Sequence, residues 1–212
     1  LEVIKLRENN YEVYGYEINQ ELYKISKDIA KSKGYENIFL YGKDEKAHIP
    51  VQNCTFDIAY SKMVLEHVKN LEDHFLEILR ILKPGGKFVV FTCNYSLFYE
   101  FHYQMFLPIF SRPLTKLILK LFGRNTNFID GVNFITPRKI HKILNKIAMS
   151  YDIVWEDTGR NKFIDDLENS AVHSKSFIRF GKIFKLLGLE NFLLTKGLYN
   201  PLIYVITKNA PH

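Results

Sequence analysis

Three histidines, His67, His102 and His141, are the side chains here best matched to moving a proton at neutral pH, and each sits in a different setting. His67 falls in Leu65-Glu66-His67-Val68, His102 lies in a run of aromatic residues, and His141 occupies a helical pattern where it reads as exposed. A carboxylate, Glu17, ends the stretch Tyr11-Glu12-Val13-Tyr14-Gly15-Tyr16-Glu17. At the carboxyl end of a strand such a group can accept both hydroxyl hydrogen bonds of an adenosine ribose, a bidentate geometry that neutral side chains match less well. The plainer alternative is an exposed or helix-capping glutamate. Ser61-Lys62-Met63 leaves a second apolar stretch, Phe56 to Tyr60. There Met63 either fills the core or packs on an adenine ring, a thioether contact worth ~0.3 to 1.5 kcal/mol. The two cysteines, Cys54 and Cys93, lack the spacing of a zinc site and read as free thiols in a reducing cytoplasm.

Positioning these groups requires alternating strands and helices. Leu1 to Glu8 reads as the end of an amphipathic helix, and Tyr11 to Glu17 as a strand. Asn19 then caps a helix through Leu22, Ile25, Ile29 and Ala30. Asn37 to Gly42 is a further strand with the polar loop Lys43-Asp44-Glu45-Lys46 behind it. After Phe56 to Tyr60, Val64 to Val68 turns into a short helix, and Leu71, Phe75, Ile78, Leu79 and Leu82 follow at helical spacing. That helix is expected to stop at Lys83-Pro84-Gly85-Gly86, a turn feeding the strand Phe88 to Phe91. The pattern predicts an open parallel sheet, in which ligands bind beyond the carboxyl ends of the strands, where Ser61, Lys62 and Met63 are placed.

Beyond Asn94 the composition shifts. Tyr95, Phe98, Tyr99, Phe101, Tyr103, Phe106 and Phe110 crowd a segment broken by Pro108 and Pro113, before Leu114 to Phe122 resumes helical spacing. These rings either pack the segment on the core or roof a substrate pocket. Thr136-Pro137 is a helix start, and Ile140, Ile143, Leu144 and Ile147 are its buried face. Tyr151 to Trp155 and Asn200 to Thr207 are the last strands. Between them, residues 177–194 set Phe177, Phe180, Ile183, Phe184 and Leu187 against Arg179, Lys182 and Lys185. This is the pattern either of a domain helix with solvated lysines or of one resting on an anionic membrane surface.

At 212 residues and 47% hydrophobic, the chain is sized for one core. One domain over residues 1–212 is expected, with a helical and aromatic insertion at about 95–130 and amphipathic helices at about 160–197. The net charge of +6 is spread over 29 basic and 23 acidic residues without a basic tail, which argues against nucleic-acid binding. No apolar run approaches the ~20 residues of a membrane span, and a soluble, cytoplasmic protein is expected.

From Tyr11 to about Phe91 the order of features, Gly15-Tyr16-Glu17, then Phe56-Asp57-Ile58-Ala59-Tyr60-Ser61, Leu65-Glu66-His67-Val68 and Lys83-Pro84-Gly85-Gly86, resembles a class I S-adenosylmethionine-dependent methyltransferase of the small-molecule type. The resemblance implies a Rossmann-like doubly wound α/β fold, a mostly parallel sheet with an antiparallel last strand, and S-adenosylmethionine as cofactor. It implies that Glu17 with the adjoining Ile18 holds the ribose, that Asp44 or Glu45 meets the adenine amino group, and that Ser61, Lys62 and Met63 line the same cleft. It also implies that the segment after the fifth strand roofs the substrate pocket, so that the aromatic run points to a bulky small-molecule acceptor, lipid-like or a glycan. If that acceptor is a hydroxyl, His67 or His102 is the expected base.

Two departures accompany the resemblance. Where many relatives have a histidine just before the Thr-Pro helix start, this chain has Gly131-Val132-Asn133. The family's first strand and the glycine-rich loop after it have no counterpart ahead of Tyr11. The expected readings are therefore a methyltransferase domain lacking its amino-terminal part or a catalytically inactive partner subunit. A nicotinamide-dependent oxidoreductase stands as a further alternative, because Glu17 would serve a dinucleotide ribose equally well.

Overall fold

The computed structural model describes residues 2–42, 48–100, 102–162 and 186–210. Helix α1 (Glu2–Glu8) leads to β1 (Gly15–Glu17), α2 (Gln20–Ser32) and β2 (Phe39–Tyr41), and β1 pairs with β2 in parallel. Strand β3 (Phe56–Lys62), helix α3 (Leu71–Ile81) and β4 (Leu82–Thr92) form the next unit, again parallel. A short hairpin, β5 (Tyr99–Glu100) and β6 (Met105–Phe106), precedes α4 (Arg112–Leu121), α5 (Phe128–Gly131) and α6 (Pro137–Ala148). Strands β7 (Ile153–Asp157) and β8 (Leu202–Lys208) complete a four-stranded sheet of order β3-β4-β8-β7, in which β8 is antiparallel to both neighbours. The expected α/β architecture with an antiparallel last strand is what forms.

Local chemistry explains the best-defined pieces. Asn70 starts α3 by accepting hydrogen bonds from the Glu72 and Asp73 amides at 3.1 and 3.3 Å, satisfying donors that the first helical turn leaves open. Leu71, Phe75, Ile78 and Leu79 then turn inward together and are buried. Thr136 caps α6 through its hydroxyl, with Pro137 next, and Ile140, Leu144 and Ile147 are its buried face. Against these helices lie Leu82, Phe88 and Val90 of β4 and Tyr204 and Ile206 of β8, all buried in one core. Each such apolar side chain contributes about 1.5 to 3 kcal/mol when fully buried.

Several boundaries differ from expectation. Helix α3 stops at Ile81 and β4 begins at once, with Pro84, Gly85 and Gly86 inside the strand. The ladder jumps from Phe56↔Leu82 to Ile58↔Lys87, so the turn expected here is a bulge thrown out of β4. Gly85 takes a φ of +80°, and a Cβ on Gly86 would come 2.8 Å from the Lys83 carbonyl oxygen, which is why two glycines stand here. The segment expected to be helical from about residue 95 opens instead with a 3-10 turn and the β5–β6 hairpin, and becomes helical at Arg112. Its aromatic alternation suits a pleated strand better than a helix. Of residues 177–194, Phe177 to Lys185 lie outside the described residues, and Leu189–Lys196 is a helix.

The sheet is divided. Among the described residues no ladder joins β1 to β3, so each keeps one edge without a strand partner. The two halves meet through the Tyr14 and Phe56 rings, 5.9 Å apart, and through the Lys62–Glu2 ion pair at 2.6 Å. Beside this gap Ile58 and Tyr60 of β3 are 64% and 54% exposed.

Candidate functional site

Chemistry gathers at the carboxyl ends of β3 and β4. The Met63 amide donates to the Phe91 carbonyl at 2.8 Å, carrying the pairing one residue past β3. There Met63 adopts a left-handed φ of 54°, and its thioether accepts from the Cys93 thiol at 3.6 Å. Behind that pair, the buried Glu66 accepts from the Thr92 hydroxyl at 3.1 Å. Burial, with Glu66 and Glu100 nearby, pushes the Cys93 thiol up to about 12, so it stays protonated. Tyr95 is raised well above the ordinary phenol range, chiefly by burial and then by Glu100.

The hairpin after β4 brings the two candidate histidines together. The His67 and His102 rings meet edge-on at 5.5 Å, and Phe128 of α5 touches both, with centroids 4.3 Å from His102 and 5.7 Å from His67. Asn133, standing where many relatives have a histidine, holds the turn that carries His67. Its amide donates to the Glu66 carbonyl at 2.7 Å and its side chain donates to the Val68 carbonyl. His141 is elsewhere, its side chain 38% exposed in line with the expectation from its helical position. It packs 4.8 Å from Trp155 and bonds the Tyr204 hydroxyl at 3.1 Å, because α6 lies across β7 and β8.

Glu17 ends β1 as expected, half-buried, with one carboxylate oxygen accepting from the Asn19 amide at 2.8 Å. Part of its capacity therefore goes into the start of α2, the capping role weighed above. Ile18 beside it is 59% exposed. Asp44 and Glu45 lie outside the described residues. Ser61 is buried within the last turn of β3, and its hydroxyl has no hydrogen-bond partner among the described residues. A buried hydroxyl left unpaired costs about 1 to 3 kcal/mol, so one at a strand's carboxyl end is a fit for a polar ligand atom. Lys62 is committed to Glu2, whose hydrogen bond raises the lysine and lowers the glutamate. Met63, His67 and His102 thus cluster on the rim of the four-stranded sheet, while Glu17 and Ile18 sit on the other one. Among the described residues no hydrogen bond or ion pair connects Glu17 or Ile18 to Ser61, Lys62 or Met63.

Two groups of residues escape a reading of the sequence. Glu100 is fully buried beside His102, and the one sequence signal was an acid two residues before a histidine in a strand-like run, a spacing that puts both on one face. The other is Glu77 with Arg80. Arg80 donates to Glu77, to the carbonyls of Ile49 and Val51 and to the Asn53 side chain, and Glu77 accepts from the Ile49 amide at 2.7 Å. Burial pushes the Glu77 carboxyl up, but the bonds from Arg80 and Ile49 outweigh it and hold the group below its usual value. Together they fasten the segment leading from the Asp44 loop to β3. No group of His, Cys, Asp and Glu among the described residues is arranged to hold a metal, and no described helix is long and apolar enough to cross a membrane.

Residues 2–90 match a family model described as a methyltransferase domain. A sterol 4-C-methyltransferase of Caenorhabditis elegans is 40% identical over 60 residues, 26% of this chain and 18% of that protein. A ubiquinone/menaquinone biosynthesis C-methyltransferase of Shewanella pealeana is 24% identical over 140 residues, 66% of this chain and 46% of that protein. The chain thus spans less than half the length of these curated relatives. Among solved structures, the geranyl diphosphate C-methyltransferase of Streptomyces coelicolor superposes with a TM-score of 0.52 at 13% identity, covering 99% of this chain and 66% of that one. That likeness establishes the fold.

Proposed function

We propose, from the match of residues 2–90 to a family model described as a methyltransferase domain, that this chain belongs to an S-adenosylmethionine-dependent enzyme methylating a small, largely apolar acceptor. S-adenosylmethionine, when bound, supplies an electrophilic methyl group on a sulfonium. The chain's own residues hold, orient and shield, since an in-line displacement draws most of its rate from alignment and exclusion of water. Glu17 holds the ribose hydroxyls with its free carboxylate oxygen, Ile18 covers the ring beside it, and Asp44 or Glu45 takes the adenine amino group. Ser61 bonds a polar atom of the ligand through its unpaired hydroxyl, Lys62 frames the rim, and Met63 lies against the adenine face.

The observation that carries this reading is the convergence of Met63, His67 and His102 on the carboxyl rim of a parallel strand pair, where α/β folds bind their ligands. The aromatic hairpin and α5 roof the acceptor side, and the relatives are named for a sterol and for ubiquinone or menaquinone, molecules with large apolar parts. The test is transfer of a tritiated methyl group from S-adenosylmethionine to sterol, quinol and prenyl diphosphate acceptors. Glu17→Gln and Ser61→Ala are expected to raise the KM for the donor several-fold, and unchanged donor KM in both removes them from the site.

The unpaired edges of β1 and β3 favour one second reading, a methyltransferase-like partner subunit. A well-folded full-length protein that never binds the cofactor would establish that reading instead. Contact of residues 177–194 with an anionic membrane surface is proposed on their charge pattern alone, and co-sedimentation with anionic vesicles checks it.

A further inference from the structure

Glu100 has no access to solvent, and its carboxylate takes three donors. The Tyr103 amide reaches Oε2 at 2.7 Å, the Tyr95 hydroxyl reaches Oε1 at 3.3 Å, and His102 Nδ1 lies 2.8 Å from Oε1. Tyr95 is itself fully buried and starts the 3-10 turn Tyr95–Leu97, and the β5–β6 hairpin pairs Glu100 with Met105. The carboxylate is therefore held by two donors before the histidine is considered.

The Tyr103 amide and the Tyr95 hydroxyl both donate to Glu100, which makes it an acceptor as an ionised carboxylate, and in that state Nδ1 of His102 brings the proton to their shared bond. The bond made by one ring nitrogen sets the state of the other, which leaves Nε2 as the lone-pair nitrogen. The ring packs at a tilt against Phe128 and next to His67, and the side chain remains 35% exposed. A buried carboxylate orienting a half-exposed imidazole next to a cofactor rim is the arrangement of a general base with its orienting partner.

We propose that Glu100 is the positioning residue of a Glu100–His102 pair in which His102 Nε2 removes a proton from the acceptor, which narrows the acceptor to molecules whose reacting atom loses a proton on methylation. Hydroxyls, phenols and acidic carbon positions such as those of a quinol ring belong to this class. The inference rests on the methyl-transfer reading above. The acceptor's proton passes to Nε2 as its electron pair forms the bond to the methyl carbon, and the methyl–sulfur bond breaks with its pair going to sulfur. The resulting imidazolium is held against the Glu100 carboxylate and returns its proton to solvent at the exposed ring edge.

Two readouts on the full-length protein test the pair. Nitrogen-15 correlation spectra, taken without any methyl donor, are expected to show His102 as the Nδ1-protonated tautomer, and Glu100→Gln, whose amide can donate in its turn, is expected to lose that preference. In the transfer assay, Glu100→Gln should lower kcat at least about tenfold with the donor KM unchanged, and His102→Gln about 10² to 10⁴-fold. An Nε2-protonated His102 in the unsubstituted protein overturns the pair. So does full kcat in folded Glu100→Gln, or, should that variant not fold, full kcat in His102→Gln. Absence of transfer to every acceptor, with the expected tautomer present, overturns the methyl-transfer reading and the base role with it while leaving the geometric pairing intact, so the two failures are distinguishable.

Discussion

His74 carries its ring into the space between α3 and β4, edge-on to Phe75 at 6.4 Å and Phe88 at 6.1 Å, with Nε2 buried and unpaired. Burial lowers it to about 4, only partly countered by Glu77, so it folds neutral. The unfolded chain takes up that proton near pH 6.5 and the folded one does so only near 4, so the unfolded state binds more protons across this window and stability falls as pH falls through it. Between pH 7 and pH 5 the loss is expected to be about 2 kcal/mol, read by urea unfolding, and His74→Phe should flatten the slope. Equal slopes in both proteins would mean that the ring is solvated. The two thiols make a second residue-scale prediction. Cys93 is buried and raised to about 12, whereas Cys54 is exposed, so iodoacetamide at pH 8 should label Cys54 alone in the folded chain and both after denaturation. At this scale the position of Met63 was legible because a strand end places it, and His67 and His102 were singled out by the Leu65-Glu66-His67-Val68 pattern and by the aromatic run. Glu100 was not legible, since its meaning comes from a hairpin that folds it under Tyr95 and Tyr103.

Among the elements, those with a strong period and a cap were readable before any coordinates. Helix α3 by its apolar period, α6 with Thr136 and Pro137, and the apolar stretches of β4 and β8 form where the pattern puts them, while the Asn70 cap and the start of β4 at Leu82 do not show in it. Short pieces were less so: β1 forms at the end of the stretch read as a strand, Tyr11 to Glu17, whereas the two residues of β5 have no period of their own and exist through their partner. The ties between elements were equally hidden. Lys208, at the end of β8, donates to the Leu79 and Leu82 carbonyls at 2.9 and 2.8 Å, closing the carboxyl end of α3 with a cation where the helix dipole favours one. Arg80 does the corresponding work for residues 49–53. Arg80→Ala strands Glu77 half-buried and frees two carbonyls, and is expected to cost about 2 to 4 kcal/mol. Lys208→Met should cost about 1 to 2 kcal/mol by the same urea measurement. A loss below about 0.5 kcal/mol for Arg80→Ala would show that the segment before β3 holds without it.

For the whole molecule, the division of the sheet decides most. Each half presents a parallel strand with a free edge, and the apolar groups along the gap, Ile58 and Tyr60 on β3 with Ile18, Leu22 and Ile25 by α2, are exposed. Free edges flanked by apolar side chains are sites where another strand adds. Glu17, proposed to hold the ribose, and Ser61 to Met63 lie on opposite sides of that gap, so a cofactor spanning them would have part of its length over open space. A glycine-rich backbone, which in this architecture meets the ligand through its amides, has no counterpart between β1 and β3 among the described residues. The 212-residue chain alone is therefore expected to bind S-adenosylmethionine with a Kd no tighter than about 1 mM, equivalent to roughly −4 kcal/mol. Calorimetric titration measures this directly. Micromolar binding by the 212-residue chain would show that the gap closes without a further strand, and that Glu17 and Ser61 already meet across it.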